Sequence, residues 1–328
     1  MKKMFTFLIA VITLVSMFGL CIQGKKVEAK EYKFERVTAD IEFNFDLFQN
    51  STRFSKELAK TAIALAASSL EDAITFSRFS EELGFELAES YNYGEDNFNR
   101  PVYNIASQSV NDKTYILLVV RATKNMEDVL TDVVGGGING FIAAGSSIYR
   151  GLQDYIRKYY GELNPDSTVL FITGYSLGGA CASQVLRMVH NSNLAPQENI
   201  FAYTIASPRY DTEAEENDYP NLFNIVVDQD LIPKVPPFYN RLGKNIYYNN
   251  HMETYTIFET MMIVLFVERM TDIQFMIGRH HKLDNYYRAV INDDYNTRSS
   301  FDVTLDAIIR TIVQVAERLV TILLSPQH

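Results

Sequence analysis

Cysteine and tryptophan are scarce in this sequence, which has two cysteines and no tryptophan in 328 residues. Cys21 lies in an apolar stretch near the N-terminus, so removal of that stretch would leave Cys181 without a partner for an intramolecular disulfide. A small disulfide-stabilised fold is therefore excluded, and a hydrophobic core must provide the stability. The 16 glycines and nine prolines are too few and too scattered to form a long disordered linker.

Basic residues are fewer than acidic ones: the sequence has 30 Lys and Arg and 40 Asp and Glu, which gives a net charge of −10. This balance argues against binding to nucleic acid and against adhesion to anionic lipid by charge alone. The sequence contains no His-Glu-x-x-His pattern, no P-loop and no dinucleotide-binding fingerprint, and the adjacent His280 and His281 are not spaced as a helical metal-ligand pair. We therefore expect neither a metal nor a cofactor.

The first 29 residues have the pattern of a secretory signal peptide. Lys2 and Lys3 precede the uncharged, mostly apolar stretch 4–22, and Ala29 ends a stretch typical of a cleavage site. Cleavage after Ala29 would leave one domain, residues 30–328, and would remove four Lys and one Glu, which changes the net charge from −10 to −13. The alternative is an uncleaved anchor that tethers the protein to the membrane, because the stretch is long enough to span a bilayer.

Four continuous apolar runs predict buried β-strands, and segments of helical periodicity lie between them. The runs are residues 115–120, 169–172, 201–205 and 223–227. Apolar residues from Phe54 to Ala66 recur at helical spacing, with Ser51 or Ser55 as the cap. Continuous apolar strands separated by helices favour an α/β fold with a mostly parallel sheet covered on both faces.

The segment Gly174-Tyr175-Ser176-Leu177-Gly178 matches the pattern G-x-S-x-G. An apolar run ends just before it and a helix-like segment follows, so the predicted context is strand, turn, helix. Such a turn exposes a serine hydroxyl above the sheet edge, where it can act as a nucleophile. Ser176 is the candidate nucleophile, and an exposed serine of this kind needs a histidine base and an orienting carboxylate.

The chain order serine, acid, histidine limits the partners of Ser176. His190 comes too early, which leaves His251, His280, His281 and His328 as candidates for the base. Asp228 and Asp230 both follow the fourth apolar run, at a strand end where active-site groups of such sheets lie. The residue pattern alone leaves these alternatives open.

Four motifs in order resemble those of the fungal-type class 3 lipase family of the α/β-hydrolase superfamily, over roughly residues 54–290. They are Ile172-Thr173-Gly174-Tyr175-Ser176-Leu177-Gly178-Gly179-Ala180, Ala206-Ser207-Pro208-Arg209, Asp230-Leu231-Ile232-Pro233, and His281 with Tyr286 five residues later. The family usually has His where Tyr175 stands and Gly where Ala206 stands. The resemblance implies Asp230 as the catalytic acid and His281 as the base, in preference to His251 and His280.

The resemblance also extends to Arg121-Ala122-Thr123, which is similar to the Arg-Gly-Thr/Ser stretch of the family. It implies that Thr123 and Leu177 present backbone N–H groups to the oxyanion, although Ala122 replaces the usual Gly. Met126 and the apolar residues after it follow a helical period. In the family this position can hold a lid that opens at a lipid surface, and a fixed surface helix is the alternative.

These features predict a secreted carboxylic-ester hydrolase that acts on acylglycerols through an acyl-enzyme. A phospholipase or a short-chain esterase is the alternative within the same chemistry. An inactive cell-surface binding protein is the alternative from another class, because Tyr175 and Ala122 depart from the family pattern. The expected partners are a lipid or other ester substrate and a transient lipid interface, and the sequence leaves the oligomeric state open.

Overall fold

A computed structural model describes residues 27–94, 100–122, 137–211, 218–230, 232–234, 239–248, 280–292 and 295. Most of the signal-peptide stretch, Thr123, the segment 126–134 and His251 lie outside the described residues. The Met-rich segment 261–267 and the apolar C-terminal segment 301–323 lie outside them as well, so the expectations about a lid remain predictions.

A seven-stranded sheet forms the centre of the described fold, with its strands in sequence order from β3 to β9. The first two pairings, β3–β4 and β4–β5, are antiparallel, and all pairings from β5 to β9 are parallel. The strands are β3 Leu87–Tyr91, β4 Tyr103–Val110, β5 Lys113–Val120, β6 Thr168–Tyr175, β7 Ile200–Ile205, β8 Leu222–Val227 and β9 Lys244–Tyr248. The predicted α/β fold and its four buried strands, β5 to β8, are confirmed.

Helices cover both faces of this sheet. One hydrophobic core contains α1 (Lys56–Glu71), α2 (Ala73–Glu82) and α5 (Leu283–Asn292), and a second core on the other face contains α3 (Gly137–Tyr159) and α4 (Leu177–Asn191). Every residue of β6 is buried because both of its faces are covered, which explains its uninterrupted apolar run.

The first long helix begins where one of the two predicted caps places it. The Ser55 side chain accepts a hydrogen bond from the Leu58 N–H at 3.3 Å and thereby satisfies one of the free N–H groups at the start of α1. Ser51, the other predicted cap, is buried and its hydroxyl donates to the Gln197 carbonyl instead.

An N-terminal hairpin forms a separate two-stranded sheet that the sequence analysis did not predict. Its strands are β1 (Val27–Phe34) and β2 (Val37–Phe43), and β2 alternates strictly between buried and exposed residues. The alternation is what a strand with one face on a core requires. The buried side packs into the core that contains α1 and α5.

Within the described ranges, no helix is both long enough and apolar enough to cross a membrane.

Candidate active site

Ser176 stands in a sharp turn between the end of β6 and the start of α4. Its backbone has φ +57° and ψ −129°, a conformation that residues other than glycine rarely adopt. The strain is held by neighbouring structure, since the Ser176 N–H donates to the Ile205 carbonyl of β7 at 2.8 Å. Strain of this kind is typical of a functional position, and it matches the strand-turn-helix that the sequence predicts.

Close backbone contacts require a glycine two residues before the serine and another two residues after it. A Cβ on Gly174 would lie 2.3 Å from the Gly178 carbonyl oxygen, and a Cβ on Gly178 would lie 2.4 Å from the Val120 carbonyl oxygen. Any side chain at either position would force these backbones apart. The second contact also brings the start of α4 against the end of β5, the strand that leads to Thr123.

Ser176, His281 and Asp230 form a continuous chain of hydrogen bonds. The Ser176 Oγ lies 2.9 Å from His281 Nε2, and His281 Nδ1 lies 2.7 Å from Asp230 Oδ2. The three residues come from the β6–α4 turn, the end of β8 and the segment just before α5, and all three are buried. The structure therefore brings together the three residues named from the sequence, within the distances that a nucleophile, a base and an orienting acid need.

The Asp230 carboxylate is fully buried and accepts hydrogen bonds at both oxygens. Oδ1 accepts from the Ile232 N–H at 3.0 Å, and Oδ2 accepts from the Tyr286 hydroxyl at 2.7 Å as well as from His281. These donors compensate for burying a charge away from water. Asp228, the other predicted acid, lies 3.9 Å from the Lys234 ammonium.

Two buried tyrosines adjoin the triad and remain protonated donors. Burial raises the pKa of the Tyr286 hydroxyl well above its usual range, and the charge of Asp230 and the hydrogen bond to it act in the same direction. Burial likewise raises the pKa of Tyr175, and Asp230 adds to that effect. Since neither phenol ionises near neutral pH, neither adds a negative charge beside the carboxylate.

The structure also describes His190 and His280, and it is His281 that contacts both Ser176 and Asp230. His190 is on α4, with its ring centroid 5.5 Å from that of Tyr219, and the His280 carbonyl accepts from the Asn285 amide at 3.1 Å. His251 and His328 are outside the described residues.

One of the two predicted oxyanion donors lies within the described residues. Leu177 directly follows the serine and is the first residue of α4, so its N–H belongs to the first turn of a helix, where N–H groups are not used by the helix itself. Thr123 lies outside the described residues, but Val120 and Arg121 lie against Gly178 and lead towards it. Both assignments remain predictions.

Two site residues were not identified from the sequence as parts of the site. Tyr175 was noted only as a departure from the family pattern, yet its ring lies on the imidazole of His281. The buried Arg241 guanidinium donates to the carbonyls of Ser207 and Pro233, and so ties the end of β7 to the segment that follows Asp230. No local motif marks Arg241, because its partners lie 34 and 8 residues away.

The described residues contain no group of three or more His, Cys, Asp or Glu side chains arranged to hold a metal ion. The site therefore offers a buried proton-transfer chain beside a strained, positioned hydroxyl. Such an arrangement can attack a carbonyl carbon and pass the hydroxyl proton to a leaving group.

Comparison with known proteins finds one family model that matches part of the chain and several similar structures. Residues 107–240 match the family model described as lipase (class 3), and no curated protein matches the chain. Among solved structures, the Rhizomucor miehei triacylglyceride lipase is 17% identical with a TM-score of 0.44, and the match covers 60% of this chain and 81% of that one.

The Lip2 lipase of Yarrowia lipolytica is 19% identical with a TM-score of 0.40, over 58% of this chain and 77% of that one. Lipase II from Rhizopus niveus is 17% identical with a TM-score of 0.40, over 57% of this chain and 78% of that one.

Proposed function

We propose that this chain, of which residues 107–240 match the class 3 lipase model, hydrolyses the ester bonds of acylglycerols with Ser176 as its nucleophile. The chain is a serine ester hydrolase of the lipase type, as the sequence motifs indicate. We propose the acylglycerol as the substrate, and we propose the role of each residue in the reaction. The observation that carries it is the unbroken hydrogen-bond chain from Ser176 through His281 to Asp230.

In the proposed reaction, His281 Nε2 takes the proton of Ser176 while Oγ attacks the ester carbonyl carbon. Asp230 holds Nδ1 as a donor, so that Nε2 is free to accept, and stabilises the imidazolium that forms. The N–H groups of Leu177 and Thr123 bind the oxyanion, and each such donor is typically worth about 3 kcal/mol. His281 then protonates the leaving alcohol, and the acyl group stays on Ser176.

Water completes the cycle by the same steps. His281 takes a proton from water, the resulting hydroxide attacks the acyl carbonyl, and the proton returns to Ser176 Oγ as the carboxylic acid leaves.

We expect Ser176→Ala to reduce hydrolysis of p-nitrophenyl butyrate to the background rate, because Oγ forms the covalent bond. Ser183→Ala is the matched control, since Ser183 is a buried serine of α4, the helix that follows Ser176, and its hydroxyl donates to the Gly179 carbonyl at 2.9 Å. The control variant should keep its kcat. Turnover by pure Ser176→Ala at the wild-type rate would contradict the proposal.

Two measurements separate this proposal from its alternatives. A rate that rises sharply above the solubility limit of a triacylglycerol supports a lipase, whereas simple saturation with a soluble ester supports a short-chain esterase. Covalent labelling by a fluorophosphonate tests the inactive binding protein, because only an activated serine reacts.

We also propose that the protein is secreted after removal of residues 1–29. The pairing of β1 with β2 is regular from Lys30 to Phe34 and shifts between Val27 and Lys30, so cleavage after Ala29 would leave the regular part of the hairpin intact. N-terminal sequencing of the protein from the culture medium tests this, and an intact N-terminus in the membrane fraction would favour the anchor.

A further inference from the structure

Tyr175, the residue immediately before the nucleophile, contacts the histidine of the triad in two ways. Its ring stacks on the His281 imidazole with centroids 4.8 Å apart and planes 22° apart. Its hydroxyl donates to the backbone carbonyl of His281 at 2.9 Å. One side chain therefore contacts both the ring and the main chain of a residue 106 positions away.

These two contacts fix different degrees of freedom of His281. The hydrogen bond at the carbonyl fixes the position of the main chain just before α5. The stacked ring blocks one face of the imidazole, so that the imidazole plane is held while Asp230 holds Nδ1 at 2.7 Å. Contacts with Asp230 and Ser176 alone lie at the edge of the imidazole and leave its faces unsupported.

Tyr175 is itself held rigidly, which is what a support requires. It is the last residue of β6, its side chain is buried, and β6 pairs with strands on both sides. Ser176 is thereby linked to His281 twice: directly by a hydrogen bond, and through the peptide bond to Tyr175, which contacts His281. A shift of β6 would move the nucleophile and the support of the base together.

We propose that Tyr175 is a positioning residue for the reaction: its hydroxyl holds the main chain of His281 in place and its ring holds the imidazole plane, and proton transfer with Ser176 needs both. The proposal rests on the proposed function for its kinetic consequence, but the contact itself is independent of any substrate. The two contacts of Tyr175 are with the ring and the main chain of His281. It acts through His281.

The test compares Tyr175→Phe with Tyr203→Phe. Tyr203 is a buried tyrosine of the neighbouring strand β7, and its hydroxyl accepts from the Ser55 N–H at 2.9 Å, away from the triad. Each variant loses one buried hydroxyl contact and keeps its ring, so the general cost to folding is matched. Tyr175→Leu, as a third variant, loses the stacked ring as well.

We expect Tyr175→Phe to lower kcat for p-nitrophenyl butyrate about tenfold, within the hundredfold that a 1 Å misplacement can cost, and to leave KM within about twofold. Tyr175→Leu should lose more activity, and Tyr203→Phe should keep the wild-type kcat although it melts at a lower temperature. A kcat within about twofold of wild type in Tyr175→Phe, or an equal loss in Tyr203→Phe, would overturn the proposal.

A proton NMR signature distinguishes failure of this proposal from failure of the proposed function. The proton between His281 Nδ1 and Asp230 should give a far-downfield resonance, since the two atoms lie 2.7 Å apart in a buried site. We expect Tyr175→Phe to broaden or shift this resonance and Tyr203→Phe to leave it unchanged. If the wild-type protein hydrolyses no ester, the proposed function is wrong, and an unchanged resonance in Tyr175→Phe still overturns the positioning role.

Discussion

Asp230 is the residue of the triad whose surroundings are most completely defined. Its carboxylate has no contact with solvent and accepts from His281, Tyr286 and the Ile232 N–H. These three contacts fix the orientation of the carboxylate, and its position at Nδ1 favours one tautomer of the imidazole.

We predict that Asp230→Asn lowers kcat about ten thousandfold with little change in fold, because an amide can present its NH2 to Nδ1 and so favour the wrong tautomer. Asp228→Asn is the control, since Asp228 lies two residues earlier and faces Lys234. Steady-state kinetics with p-nitrophenyl butyrate measures both variants. Loss of less than about a hundredfold in Asp230→Asn would argue that another group orients His281.

Residue-level prediction from sequence succeeds where a motif is local. Ser176 is identified by its own neighbours, and the chain order that follows restricts the acid and the base. Tyr175 shows the limit of such prediction, because its partner is 106 residues away and no local pattern indicates the contact. The one local signal is the tyrosine itself, which departs from the family pattern and by itself favours an inactive protein.

At the scale of elements, the edge strand β3 is joined to helix α3 by one carboxylate. Glu89 accepts hydrogen bonds from Tyr159, at 2.6 Å, and Lys158, both on α3, and from Tyr91 on its own strand. Burial alone would raise the pKa of Glu89, but the hydrogen bonds from Lys158, Tyr159 and Tyr91 outweigh it, so the pKa lies below its usual range.

The lowered pKa of Glu89 implies a stability contribution that depends on pH. The contribution is fully present above the unfolded-state pKa of about 4.3 and is lost as the pH falls through the lower, folded-state pKa. We expect Glu89→Gln to reduce the free energy of unfolding by about 1 kcal/mol at pH 7, a modest figure because the side chain is partly exposed.

Urea unfolding of wild type and variant from pH 7 to pH 3 measures this contribution, and the difference should shrink towards the acid end. Glu31→Gln serves as the control, because Glu31 forms only an exposed pair with Lys33 and should show a much smaller effect. A difference for Glu89→Gln that stays constant down to pH 3 would contradict the pKa argument.

The sequence predicts a strand most clearly when apolar residues run along it without interruption. Strands β5 to β8 are apolar throughout because helices cover both faces, so their runs stand out. The hairpin strand β2 has one exposed face and shows only alternation, and β3 is an edge strand with a single half-exposed run. These weaker patterns explain why β2 and β3 were not predicted. Strand β4 is mostly buried, but its buried polar residues Asn104 and Ser107 interrupt the apolar run.

At the scale of the whole molecule, the N-terminal hairpin contacts α5, the helix that follows His281. The Tyr287 hydroxyl of α5 accepts from the Asp40 N–H at 2.6 Å and donates to the Asp40 carbonyl at 3.0 Å, which attaches α5 to strand β2 of the hairpin. Lys56, at the start of α1, donates to the Ile291 carbonyl at the end of α5. His281 lies just before α5, so the N-terminal hairpin supports the segment that carries the base.

This arrangement predicts that the hairpin, α5 and the sheet unfold together, because all three share one hydrophobic core. Tyr287→Phe removes two partly buried hydrogen bonds to the Asp40 backbone, and we expect it to lower the free energy of unfolding by about 1 kcal/mol and Tm by about 2–4 °C. Circular dichroism gives Tm, and hydrogen exchange measured by mass spectrometry compares peptides from β2, α5 and β6. Exchange should rise in β2 and α5 together, with β6 still the slowest. Faster exchange in α5 with β2 unchanged would show that the hairpin does not support the histidine segment.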